Sequence, residues 1–141
     1  HSGSFNAHLI PVLSGLAFIE EAVKPSFYNH LSNLEQRFHK GIDTIIKAHD
    51  LNMVVTHHGA RFNFIFGRKD APLKYEDTFC HKKETMLKFV KLCWEKGVYF
   101  HDYGGSPAHH GYSIQHTAED VDKVLDICES VLCNMKSEGS I

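Results

Sequence analysis

Two groups of residues in this 141-residue chain are suited to chemistry by type and spacing: histidines crowded into one stretch, and a hydroxyl residue set just behind a glycine. His101, His109, His110 and His116 bring imidazoles that can bind zinc or move protons near neutral pH, and His57 or His58 can join them in space. Their spacing matches no zinc signature, and the nearest cysteine in sequence falls in a helical pattern, so no metal site is assigned. Gly3-Ser4-Phe5-Asn6 precedes an apolar run. A hydroxyl and free N–H groups at the positive end of a helix suit a phosphate, although an ordinary N-cap accounts for the same residues. Arg61 can fork onto a substrate carboxylate, pair with an acid or simply face solvent. No Ser/His/Asp or Cys/His constellation is recognisable, and Gly104-Gly105 with Gly111 do not make a nucleotide loop.

The elements that must position these residues follow from periodicity. Leu9, Val12, Leu13, Leu16, Ile19 and Val23 recur at helical spacing, so a helix runs from about Asn6 to Val23, with Pro11 tolerable in its first turn. Ile10, Ala17, Phe18 and Ala22 leave it almost no polar face, and such a helix must be covered on every side, either as a central core helix or by a surface from outside the segment. Beyond Lys24-Pro25, the positions Phe27, Leu31, Leu34, Phe38, Ile42 and Ile45 form one stripe on a long helix. Met53-Val54-Val55-Thr56 and the alternating Phe62, Phe64 and Phe66 predict a hairpin with one buried aromatic face. Phe79, Met86, Leu87, Val90 and Cys93 mark a third helix stopped at Gly97. Val98-Tyr99-Phe100-His101 reads as a third strand, and Asp102 to His116 as a functional loop. A last helix opens at Thr117-Ala118-Glu119-Asp120 with a hydroxyl cap and acids in its first turn. The expected fold is α/β, a two-layer α+β sandwich with a short, mostly antiparallel sheet covered by helices.

Bulk composition narrows the partners. A formal charge of −2 without clustered Lys/Arg gives no general attraction to nucleic acid or anionic membrane. No apolar run approaches a membrane span, and no basic leader with a cleavage site opens the chain, so a cytoplasmic protein is expected. Cys80, Cys93, Cys128 and Cys133 show neither CxxC pairing nor the density of a disulfide scaffold and are read as free thiols. The chain starts His1-Ser2-Gly3 rather than with methionine, which suits a tag remnant, a processed end or a fragment.

Several motifs, in order, resemble the C-terminal part of class III pyridoxal-phosphate (PLP) aminotransferases. Gly3-Ser4-Phe5-Asn6-Ala7-His8, with Gly15-Leu16-Ala17 and Ile19-Glu20-Glu21, is similar to the family's G-T-F-x-[GA]-N-P leading into A-A-G-L-A-x-L-E-E. Gly59-Ala60-Arg61-Phe62 with Phe66-Gly67 looks like the start of its small-domain sheet. Gly97-Val98-Tyr99-Phe100, and Gly111-Tyr112-Ser113 running to His116-Thr117-Ala118-Glu119-Asp120-Val121-Asp122, resemble G-[VI]-[YL]-[LF] and G-F-x-[SA]-A-x-H-T-x-E-D-[IV]-D. The pattern is nearest the glutamate-1-semialdehyde 2,1-aminomutase branch.

The resemblance implies that residues 1–23 carry a cofactor-phosphate loop and a linking or interface helix, and that residues 24–141 form the small domain of a homodimeric fold-type I enzyme. Gly3, Ser4 and Phe5 would hold the phosphate of PLP bound to the neighbouring subunit, with Ser4 in place of the family's threonine and His8-Leu9 in place of Asn-Pro. The Schiff-base lysine is expected upstream of His1, in a large domain absent from this segment, so the segment alone should be inactive. Many relatives grip the substrate carboxylate with an arginine before a P-P-L element. Here that stretch is Ala108-His109-His110-Gly111-Tyr112-Ser113, which makes His109, His110 and Arg61 the substrate-side candidates for a small amino-acid-like substrate. Two rival readings stand beside amino-group transfer: a non-catalytic dimerisation or binding module, and a zinc site in the histidine cluster.

Overall fold

The computed structural model describes residue 3 and residues 8–107 and 109–141. Among them run α1 (Leu9–Ala22), α2 (Pro25–Ala48), β1 (Met53–His58), β2 (Arg61–Phe66), a single 3₁₀ turn (Tyr75–Thr78), α3 (Lys83–Glu95), β3 (His110–Gly111) and α4 (Ala118–Ser137). The sheet is antiparallel in the order β1-β2-β3; α2 packs against β1, α3 against β2, and α4 against α2 and α3. This is the expected mixed α/β arrangement with a small sheet.

The hairpin closes His58 against Arg61 over a two-residue loop, where Gly59 takes the left-handed φ of 57° that such a loop requires. Its register sets Met53 opposite Phe66, Val55 opposite Phe64 and His57 opposite Phe62. Side chains alternate across a strand, so these six share one face, and the apolar five are buried there. Leu34, Phe38, Ile42 and Ile45 of α2, Met86, Phe89 and Cys93 of α3, and Cys128, Val131 and Leu132 of α4 complete that core. Phe64 meets Phe89 and Phe100 edge-on at ring-centroid distances of 5.0 and 5.2 Å, a geometry that adds to simple burial.

Two helix ends follow their sequence signals closely. Thr117 Oγ1 accepts the Asp120 N–H at 3.2 Å while the Asp120 carboxylate accepts the Thr117 N–H at 2.8 Å, a reciprocal cap that starts α4. After α3, Gly97 stands at φ 90°, and the Val98 N–H turns back to the Cys93 carbonyl at 2.9 Å.

Two expectations are corrected. Val98-Tyr99-Phe100-His101 is not a strand: Val98 and Phe100 are buried in alternation, but the free side of β2 pairs instead with β3, Phe62 opposite His110 and Arg61 opposite Gly111. Alternation records burial, and a ladder also needs an unpaired neighbour. Phe79 lies outside α3, exposed at the end of the 3₁₀ turn. Of the two readings of the first helix, the central core helix is the one not found: none of the residues of α1 is buried, and Leu9, Ile10, Phe18 and Ile19 are all more than half exposed. Its N-cap falls at His8, which makes no side-chain cap bond. No helix among the described residues is long and apolar enough to cross a membrane.

Candidate functional site

Beside β3 a cavity of about 860 Å³ opens between the sheet edge, the segment after α3 and the start of α4. Arg61, His109 and His110, the three substrate-side candidates, all line it, together with His101, Tyr103, Tyr112 and His116. Lys96 and Lys123 join Arg61 on the wall, against Asp120 as the sole acid among the lining residues. The cavity is therefore suited to an anionic or carboxylate-bearing molecule of a size that it can enclose. Among the described residues Arg61 has no salt-bridge partner, so its guanidinium is not committed to the fold.

Strand pairing sets these side chains in place. Phe62 opposite His110 and Arg61 opposite Gly111 fix β3 against β2. A Cβ at Gly111 would lie 2.8 Å from the Ala60 carbonyl oxygen, so only glycine allows this approach. The preceding loop is tied down at Asp102, whose Oδ1 accepts the Gly104 N–H at 2.6 Å and the Gly105 N–H at 3.3 Å. Buried His81 holds the same loop from below. Its Nδ1 accepts the Phe66 N–H at 3.1 Å, which leaves Nε2–H to donate to the Gly105 carbonyl at 2.8 Å. Those two bonds define one neutral tautomer, and burial depresses the His81 pKa in the same direction.

His110 is the most unusual group in the cavity. It is buried among Phe62, Phe64 and Phe100, with ring centroids 5.6, 5.5 and 5.2 Å away, and its Nε2 has no hydrogen-bond partner among the described residues. Desolvation, helped by His109 and His101, pushes its pKa down to about 4, so it is a neutral imidazole at physiological pH. Buried polar atoms without partners are rare and costly, and this one belongs to a residue of the cavity wall while itself lying beneath the surface. Around it, His101 Nδ1 lies 2.8 Å from the Tyr99 hydroxyl, and Tyr103 packs edge-on against His101 at 4.2 Å. His116 is exposed at the rim, where its Nδ1 accepts the Ser113 N–H at 3.0 Å.

The remaining candidates separate from this cluster. Gly3 lies far along the chain before α1, and Ser4 and Phe5 fall outside the described residues. His57, considered as a partner for the loop histidines, instead stacks on His39 of α2, with centroids 3.6 Å apart and planes 17° apart. Sequence reasoning overlooked His39, although Glu35 and His39 stand four apart on one helix and therefore share a face.

No family model matches the chain. Its fold does match solved structures: one described as a transaminase with PLP bound, at a TM-score of 0.76 and 20% identity, is covered over 31% of its length by 100% of this chain. A crystal structure of an omega-transaminase from Sphaerobacter thermophilus gives a TM-score of 0.81 and 17% identity, with 96% of this chain matching 30% of that one. The chain thus spans about a third of the length of these proteins and shares the fold of that third.

Proposed function

We propose that these residues form the small C-terminal domain of a PLP-dependent enzyme that transfers an amino group, as an aminotransferase or a 2,1-aminomutase acting on an amino acid or amino-aldehyde. The observation that carries this reading is the match of 100% and 96% of the chain to about a third of two transaminase structures, together with the ordered motifs from Gly3 to Asp122. In this reading the lysine that carries the cofactor lies outside the 141 residues, the segment alone is inactive, and the working enzyme is a cytoplasmic homodimer.

The residues that precede α1 in sequence fit the cofactor's phosphate in type: Ser4 offers a hydroxyl, and the His8 N-cap makes no side-chain bond to the first turn of the helix. Gly3, Ser4 and Phe5 would hold that phosphate for the neighbouring subunit. When bound, PLP supplies an electron sink that the protein's own side chains lack. Arg61 then pairs with the substrate's carboxylate at the cavity wall, and His110, kept neutral, meets a polar group of the substrate through Nε2. The aromatic lining excludes water from that contact.

The test is amino transfer by the full-length polypeptide with added PLP, measured with Arg61→Ala and His110→Phe. Both variants should raise KM for the amino substrate by about tenfold or more, the usual cost of a lost charged or buried hydrogen bond. Absence of any amino transfer overturns the proposal, and an unchanged KM in both variants removes the cavity from substrate binding. A second reading, a dimerisation module without catalysis, draws on the exposed apolar residues of α1. Stable dimers of a full-length protein without PLP affinity would favour it.

A further inference from the structure

Away from the cavity, we infer that Glu35, His39 and His57 form a binding site for one divalent cation of the zinc class, linking α2 to the edge strand β1. The inference stands apart from amino transfer. α2 places Glu35 and His39 one turn apart on the face that packs against β1, and the register of the hairpin places His57 on the core face of that strand. One donor atom from each residue lies within 4.8 Å of the others. His57 Nδ1 is 3.0 Å from Glu35 Oε1, and the two imidazoles stack at 3.6 Å.

Two imidazole nitrogens and a carboxylate oxygen are a donor set that zinc accepts well, with a fourth position left for water. Tetrahedral bonds of roughly 2.0–2.2 Å bring such donors to about 3.4 Å from one another. The Glu35–His57 pair already approaches that closely, and the two rings need only splay until their lone pairs converge. His57 has the freedom to do so, its side chain being 44% exposed, while His39 is held: it is 7% exposed, and the Tyr112 hydroxyl lies 3.2 Å from its Nε2. A hydroxyl fixing a ligand's ring is the outer-shell arrangement of metal sites. A plain ion pair explains Glu35 with His57, yet gives no reason to bury a second imidazole flat against the first. A cation satisfies all three groups: the proton held between His57 Nδ1 and Glu35 is released to solvent as the metal takes its place, and Nε2 keeps its hydrogen.

The probe is zinc itself, titrated calorimetrically at neutral pH into chelator-treated protein, with cobalt(II) as a spectroscopic substitute. One equivalent should bind with micromolar or tighter affinity and raise the thermal midpoint. His57→Ala and Glu35→Gln should each weaken binding by at least about tenfold, and the double variant His101→Ala/His109→Ala should leave it unchanged. His57 lies at the exposed end of its strand, so its variant should keep the wild-type far-ultraviolet dichroism, and the cobalt band reports ligand loss independently of stability. No binding, or binding lost in the loop double variant and kept in His57→Ala, would overturn the site.

Discussion

The loop between α3 and α4 and the α2–β1 seam both hold histidines, and they use them in opposite ways. In the loop, His101, His109, His110 and His116 are neighbours in sequence yet spread around the wall of a cavity, where they line a space of about 860 Å³ rather than converge on a point. At the seam, His39 and His57 stand far apart in the chain but stack face to face, with Glu35 alongside. Density in sequence thus makes a lining, and convergence in space makes a ligand set. The difference arises from backbone geometry: a helix and a paired strand aim side chains at a common point, whereas an irregular loop turns successive side chains in different directions.

His81 sharpens the contrast as a third kind, with both ring nitrogens committed. His81→Leu removes the acceptor of the Phe66 N–H and the donor to the Gly105 carbonyl, both in buried surroundings. It should cost about 2–4 kcal/mol in urea denaturation and loosen the loop that carries the cavity wall, the largest effect among these positions. Next in size is the dependence on pH. His39 and His110 both fold with pKa values depressed to about 4 from 6.5, by desolvation first in each case. The folded state therefore holds fewer protons than the unfolded chain in that window. Their contribution is complete above pH 6.5 and declines as pH falls towards 4. A double variant, His39→Gln/His110→Phe, should flatten the curve of stability between pH 6.5 and 5. An equally steep curve would mean that neither imidazole is kept neutral by burial.

Smaller still is His110→Phe alone. Its Nε2 has no partner among the described residues, so removing the nitrogen should change stability by less than about 1 kcal/mol while damaging substrate binding, whereas a large loss would show that the nitrogen serves the fold. The smallest change is expected from Arg37→Ala. Arg37 Nε and an Nη bond Asp122 at 2.6 Å each, but both side chains are about half exposed, so the bidentate pair should contribute little and weaken further in salt.

Much of the fold was legible because its signals are local. The α2 stripe from Leu34 to Ile45, the alternating phenylalanines of β2 and the cap at Thr117 all depend on residues a few positions apart, and each element stands where they predict. Partner choice was harder to read. Val98 to His101 carry the burial pattern of a strand, but β3 at His110–Gly111 takes the edge of β2, and that outcome depends on Gly111 fitting against the Ala60 carbonyl. Of the candidate site, Arg61, His109 and His110 were named from sequence and do share one cavity. The orphan state of His110 Nε2 was invisible, because it arises from phenylalanines on two separate segments closing over the ring. Pairing His39 with His57 likewise requires knowing which helix face meets which end of the hairpin.

The central claim, that this segment belongs to a PLP enzyme and contributes its opening loop to the cofactor phosphate, is tested most directly by PLP affinity in the full-length polypeptide with Ser4 intact and with Ser4→Ala. The account predicts one PLP per chain, bound covalently as shown by reduction with borohydride, and an affinity weakened by about 1–3 kcal/mol in the variant, as expected for a charge-assisted hydrogen bond. Equal affinity in both proteins would contradict the role of Ser4, and absence of specific PLP binding in the intact protein would contradict the account as a whole.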